Sequence, residues 1–300
     1  MSGGSGDHSA VIAAASALEL FHAAALVHDD LIDHSDTRRG APAAHRLFES
    51  LHDDSGWSGD PARFGEAAAI LLGDLLLGWS DELLDEGLDL LIDRAAARAA
   101  RAEFMRMRTE VTAGQYLDIL EEQAWHTRPD AEHRTAAQRV IVYKSAKYSV
   151  EAPLAIGAQI AGATPFQLQS LREYGLPLGV AYQLRDDLLG VFGDPQVTGK
   201  PAGDDLREGK RTMLIAIARE RLSAGQRQLL DELLGDPMLE PTQIGMLQRT
   251  IEGCGAVDEV ERLIADQVAR AQGALADAPI DGGAKAELGT LATAVAKRTS

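Results

Sequence analysis

An all-α fold follows from three features of this 300-residue chain. Helix-forming residues dominate and recur at helical spacing, alternating apolar–polar runs that would make half-buried strands are missing, and β-branched residues are not clustered. Hydrophobic residues make up 45% of the chain and charged residues 25%, so there is enough apolar material for a sizeable core. Aromatics reach only 5%, which leaves alanine and leucine to fill most of it.

The chain opens on a Gly/Ser-rich loop, residues 1–7. Leu18, Phe21, Ala25 and Asp29 then fall on roughly one face of a first helix. HDDSGWSGDPARFG, His52 to Gly65, reads as a loop, and AAAILLGDLLLGW, interrupted by Asp74, as a buried helix. Long helical patterns follow over Arg94 to Gln123 and from Pro165, where Pro177 is expected to divide or kink the helix. Gly193 to Lys210 and DAPIDGG read as loops, and DEVERLIADQVARAQGALAD, Asp258 to Asp277, as an amphipathic C-terminal helix. No stretch is long or polar enough for a domain linker and there is no fixed-period repeat, so one domain over residues 1–300 is expected.

The formal net charge of -17 speaks against nucleic acid and anionic membrane surfaces as main partners, since both require basic patches. It leaves room for a phosphorylated small molecule, because bound cations reverse a local field. Cys254 is the only cysteine, which fits a reducing cytoplasm. No apolar run is expected to be long enough to span a bilayer.

The chemistry concentrates in two acidic clusters. In LVHDDLIDHSDTRRG, Asp29 and Asp33 sit one turn apart, with Asp30 to the side. Like charges at this spacing repel, and a helix end of this polarity disfavours anions. A bridging cation removes both objections, and oxygen-only ligands favour Mg²⁺, Mn²⁺ or Ca²⁺ over zinc. Arg38 and Arg39 follow at once, and arginine suits phosphate oxygens. In YQLRDDLLGVFGD, Asp186 and Asp187 end another apolar stretch, with Lys200 and Lys210 beyond it. Mg²⁺ characteristically takes one or two carboxylates and completes its shell from substrate phosphates. The pattern therefore predicts a diphosphate held over metal ions, with an apolar channel for a hydrocarbon tail.

With these motifs, and with GEAAAILLGDLLL, GQYLDI and YKSAKYSVEAPLAIGA between them in order, the chain resembles the trans-isoprenyl diphosphate synthases, also called polyprenyl synthetases. The resemblance covers most of the chain and implies a helical bundle of the isoprenoid synthase type around a central apolar channel. It implies Asp29 and Asp33 as main ligands of Mg²⁺, with Asp30 beside them, Asp186 ligating from the second motif with support from Asp187, and three ions with substrate bound. Arg38, Lys144 and Lys200 would hold the allylic diphosphate, and Arg39 would face the isopentenyl diphosphate side. Gln115, Asp118, Ser145 and Gln183 would line the pocket near the reacting carbons, and Lys210 would help close the loop over it. The implied reaction ionises an allylic prenyl diphosphate and adds isopentenyl diphosphate head-to-tail, with water excluded. The small Ala24 and Ala25 upstream of the first motif speak against a short product; with Phe21 as a floor, geranylgeranyl diphosphate is the expected product, with farnesyl or longer prenyl diphosphates as the alternatives. A homodimer is implied as well.

The sequence departs from the family pattern in three places. Only 28 residues precede Asp29 and no Gly-Lys-x-x-Arg element is present, so the chain reads as short at its N-terminus. Gly190 stands where a third aspartate often sits, with Asp194 or water to compensate. Lys297 and Arg298 resemble a basic tail that covers the homoallylic site. The competing readings are a class I terpene synthase-like lyase and a non-catalytic subunit of a heteromeric prenyl synthase. Intact Asp29, Asp33, Lys144, Asp186 and Lys200 speak against the subunit, and Arg39 with the second motif against the lyase. His28 reads as a packing histidine.

Overall fold

The structure, a computed structural model, describes residues 8–194 and 203–297. The expected loop at 1–7, Lys200 and Arg298 lie outside the described residues. The chain divides into two compact units, one over residues 8–97 and the other over 98–194 and 203–297.

The first unit is built on three helices: α1 (Ser9–Ile32), α2 (Ala44–Asp54) and α3 (Pro61–Asp89). Small residues one heptad apart on α3 let α1 approach closely. A Cβ at Gly87 would lie 2.5 Å from the Ala13 methyl, Ser80 Oγ donates to the Ala17 carbonyl at 2.7 Å, and a Cβ at Gly73 would collide with the His28 ring. Ala10, Ala14, Ala17, Phe21 and Ala24 are buried on α1, an apolar stripe at the helical repeat. Among the described residues α1 is the one helix long and apolar enough to cross a membrane, with a mean hydropathy of 1.9, contrary to the expectation of no such run. The cause is its alanine, leucine and valine content, which also suits a helix packed in a bundle.

Between α1 and α2 lies a feature without a helical or strand period in the sequence, a hairpin of two-residue strands. Thr37–Arg38 (β1) pairs with Ala41–Pro42 (β2), Arg38 opposite Ala41. The connecting Arg39 and Gly40 both have positive φ, 53° and 76°, as a type I′ turn demands. The loop expected at 52–65 shrinks to residues 55–60. Asp60 caps α3 by accepting from the Ala62 and Arg63 amides, and Pro61 fits the first helical turn.

In the second unit, α4 (Arg94–Ala124) leads through short 3₁₀ turns to α5 (His133–Val140). α5 runs on without a break into a π-helical stretch, Ile141–Glu151, and then α6 (Ala152–Ile160). The central α7 (Pro165–Phe192) starts at a Thr164 capping box and buries Tyr174, Leu178, Ala181, Leu184, Leu188 and Val191. It continues through Pro177 and is not divided there, because burial of this face outweighs one lost backbone hydrogen bond. A short α8 (Asp204–Glu208) occupies part of the expected loop at 193–210. Next come α9 (Met213–Arg221), α10 (Ala224–Leu233) and α11 (Pro241–Gly253). The amphipathic α12 (Ala256–Asp277) packs along α7, and Tyr174 Oη donates to the Leu288 carbonyl of α13 (Gly282–Lys297) at 2.7 Å. Among the described residues the fold is all-α apart from the hairpin, as expected.

Two glycines of α3 respond oppositely to a methyl group. A Cβ at Gly65 would sit 2.3 Å from the His45 carbonyl oxygen, backbone that cannot turn aside, whereas Gly78 has open space. Urea denaturation should show Gly65→Ala destabilised by about 1–3 kcal/mol. Gly78→Ala should gain up to about 1 kcal/mol from restricting the unfolded helix. Equal effects at both sites would contradict the packing described for α2 and α3.

Candidate active site

The first acidic cluster sits where α1 ends. Asp29 and Asp30 occupy its last turn, and Asp33 is the C-cap, its amide bonded to the Asp29 carbonyl at 2.8 Å. Here the helix dipole is unfavourable to carboxylates. The chain turns just after α1, through His34 with its positive φ of 53°, and β1 brings Arg38 back to offset this: its Nε donates to Asp30 Oδ1 at 2.9 Å, its Nη2 to the same oxygen and, at 3.5 Å, to Asp29 Oδ2. Asp30 is nearly fully buried, and these carboxylates hold the Arg38 guanidinium above its usual range against the opposing effect of burial. Asp30 thus orients Arg38. Arg39 is exposed. His28 packs between α1 and α3, its Nε2 3.2 Å from the Ile70 carbonyl oxygen. Phe21 and Ala24 are buried and Ala25 half-buried.

The second cluster lies near the C-terminal end of α7, Asp186 and Asp187 standing about one and a half turns before Phe192. Asp186 is exposed, while Asp187 is only 4% exposed and accepts from Gln183 Nε2 at 2.8 Å. Its Oδ2 is buried with no hydrogen-bond partner among the described residues. Burial pushes the Asp187 carboxyl well above the usual carboxylate range, and neighbouring Asp205, Asp186 and Asp118 push it further. Asp205 also answers the question of Gly190. A Cβ on Gly190 would lie 2.0 Å from Asp205 Oδ2, so a carboxylate from α8 fills the space over the glycine. Sequence reasoning assigned that compensation to Asp194 or water and gave Asp205 no role. The only signal was its place in GDDLREGK.

Facing residues come from α4 and the π-helical stretch. Lys144 Nζ donates to Asp118 Oδ2 at 2.5 Å, with both side chains mostly buried. Gln115 Nε2 is buried without a hydrogen-bond partner among the described residues, a donor available to a ligand. Ser145 is half-buried beside Lys144. Lys210 Nζ lies 2.7 Å from Glu208 and 3.9 Å from Asp205. The neighbouring Arg211 is anchored the other way, its guanidinium 3.7 Å from the Trp125 ring centroid, with Arg219 at 4.5 Å. Burial pushes Arg211 down to about 10, so it stays charged at neutral pH.

The donor set suits a hard divalent cation. The acidic side chains offer only oxygen, and the buried Asp187 oxygen lacks a partner that a cation would supply. Among the described residues no group of three or more His, Cys, Asp or Glu side chains comes together as a metal cage.

The sequence profile of the polyprenyl synthetase family matches residues 2–251. The chain belongs to this family. It is similar to geranylfarnesyl diphosphate synthase of Aeropyrum pernix, 31% identical over 299 residues, covering 99% of this chain and 86% of the relative. It is similar to geranylgeranyl diphosphate synthase of Methanosarcina mazei, 31% identical over 255 residues, covering 84% and 68%. Its fold superposes on the crystal structure of geranylgeranyl pyrophosphate synthase from Corynebacterium glutamicum complexed with isoprenyl diphosphate and magnesium. That match has a TM-score of 0.91 and 41% identity, over 97% of this chain and 80% of the other. Polyprenyl synthetase membership makes the chain a prenyltransferase.

The raised Asp187 carboxyl has a measurable sign. A group whose folded pKa lies above its unfolded value stabilises below the unfolded value, about 3.9 for Asp, and loses that contribution as pH rises through the folded value. The metal-free chain should therefore gain from Asp187→Asn near neutral pH, with Tm rising about 2–4 °C per kcal/mol recovered. The same variant should shrink the Tm increase produced by Mg²⁺. Thermal melts in chelator and in Mg²⁺ measure both, and a lower chelator Tm in the variant would contradict the burial argument.

Proposed function

We propose that the chain condenses an allylic prenyl diphosphate with isopentenyl diphosphate, works as one domain, and releases geranylgeranyl diphosphate. The observation that carries this reading is a repeated device. An apolar helix ends in aspartates, and nearby cations are already held on carboxylates, Arg38 on Asp30 and Lys144 on Asp118. Such groups are preorganised to accept diphosphate oxygens without first being gathered from solvent.

Asp29, Asp33, Asp186 and Asp187 would hold Mg²⁺, three ions with substrate bound. When bound, Mg²⁺ supplies positive charge to the departing diphosphate as a Lewis acid. Arg38, Lys144 and Lys200 bind the allylic diphosphate, and Asp30 and Asp118 aim the first two. Arg39 takes the isopentenyl diphosphate side. Gln115, Ser145 and Gln183 line the reacting end, and Lys210 comes over it with its segment. The carbon–oxygen bond to diphosphate breaks, the isopentenyl double bond attacks the allylic cation, and the released diphosphate takes the proton. The chain's apolar residues exclude water that would quench the cation.

The chain is also proposed to be cytoplasmic and homodimeric. Its one cysteine, Cys254, is free. Leu71, Leu75 and Trp79 form an exposed stripe at i, i+4, i+8 on α3, at 67%, 47% and 46% exposure, which a second copy would cover. Light scattering at twice the 32.0 kDa chain mass tests the dimer.

The defining assay supplies labelled isopentenyl diphosphate with dimethylallyl, geranyl or farnesyl diphosphate in Mg²⁺ and sizes the dephosphorylated products. Elongated prenols ending at the geranylgeranyl length are expected. Asp29→Ala should lower turnover by about 10²-fold or more with the helical content unchanged. Near-normal turnover in that variant removes the metal-clamp reading. In the same assay the half-buried Ala25→Phe should shorten the product. The fully buried Ala24→Phe should instead cost about 1–3 kcal/mol of stability through overpacking.

A further inference from the structure

The π-helical winding over Ile141–Glu151 is the least common element of the fold, and it carries Lys144. Such stretches hydrogen-bond i to i+5 and occur mostly as single turns, frequently at functional sites. One this long needs outside support. Part of that support is close backbone approach: a Cβ at Gly114 of α4 would lie 2.2 Å from the Lys144 amide nitrogen, and one at Gly179 of α7 2.5 Å from the Ala146 carbonyl oxygen.

The rest is electrostatic. Glu110, Gly114 and Asp118 stand at i, i+4 and i+8, one face of α4. The glycine admits the π-helical backbone, and the carboxylates on either side each take one lysine from it. Asp118 holds Lys144 at 2.5 Å and Glu110 holds Lys147 at 2.6 Å. Lys147 Nζ also lies 4.8 Å from the Tyr143 ring centroid, so it braces the turn preceding its own. Asp118 and Lys144 belong to the site described above, whereas Glu110 and Lys147 have no part in it. Their ion pair is about one-quarter exposed, a setting in which such pairs add little to stability. Its effect lies in geometry. Relaxation of the stretch toward α-helical pitch would rotate every side chain along it and carry Lys144 away from Asp118.

We propose that Glu110 and Lys147 are positioning residues that fix the winding of the π-helical stretch and thereby the placement of the Lys144 ammonium for the allylic diphosphate. This rests on the assignment of Lys144 to that diphosphate. The test is steady-state kinetics of the full chain in Mg²⁺, with KM measured separately for the allylic diphosphate and for isopentenyl diphosphate. Thermal melts accompany each variant.

Lys147→Met and Glu110→Gln should each raise the allylic KM roughly 10- to 100-fold, the scale of a small misplacement, and leave the isopentenyl KM within about twofold. Lys147→Arg, which keeps the ion pair, should restore the allylic KM to within a few-fold. In a Lys144→Ala background, Lys147→Met should have no further effect, because the group it positions is gone. An unchanged allylic KM in Lys147→Met, in a chain that Lys144→Ala impairs, overturns the proposal and leaves the site reading standing. A parallel rise of both KM values with a fall in Tm reduces the pair to a structural role and also overturns it. An unimpaired Lys144→Ala chain removes the Lys144 assignment and this proposal together.

Discussion

Carboxylates at the C-terminal ends of apolar helices set the terms for the rest of this structure. α1 ends in aspartates, where peptide dipoles already present partial negative charge, and α7 carries a like-charged pair near its C-terminal end. Each helix meets the cost locally and differently. At α1, the chain turns through His34, whose φ is positive, and Arg38 returns to Asp30 and Asp29 within a few residues. At α7 the nearest additions are acidic: Asp205 leans over Gly190, and Asp187 keeps a buried oxygen that no described residue satisfies. The first cluster gains one cation from its own chain for three carboxylates, and the second keeps a buried oxygen suited to a cation.

The expected phosphate-binding cations follow a related rule. Arg38 rests on Asp30, Lys144 on Asp118 and Lys210 on Glu208. A carboxylate partner keeps each cation charged and directed, and each partner's oxygen can be exchanged for one from a diphosphate. Around Lys144, close glycine-mediated backbone packing at Gly114 and Gly179 adds to the ion pairs.

Helix identities were legible because the apolar period is long and repeated, and α4 and α12 fall close to where the pattern put them. The two acidic motifs were legible because charge beside an apolar run is conspicuous. Boundaries were less so. Asp60 and Pro61 carried a helix-start signal inside what read as a loop, and Pro177 was buried deeply enough to be carried through. Strands of two residues have no period to detect, although Arg-Gly at their turn was a usable cue. The π-helical winding had no local signature, since its support comes from other helices, through close approach at Gly114 and Gly179 and carboxylates of α4. Asp205 gained meaning only once the space over Gly190 was known.

The contact of Trp125 with two guanidinium groups has an optical consequence. The chain has three tryptophans, of which Trp57 and Trp79 are half exposed. Trp125 alone touches the segment that bears Lys210, through the next residue in sequence. Indole emission is sensitive to an adjacent charge, so a shift of Arg211 relative to the ring changes the light the protein emits. The molecule thus carries a built-in fluorophore at the root of that segment, and replacing Trp57 and Trp79 with phenylalanine would leave its signal uncontaminated.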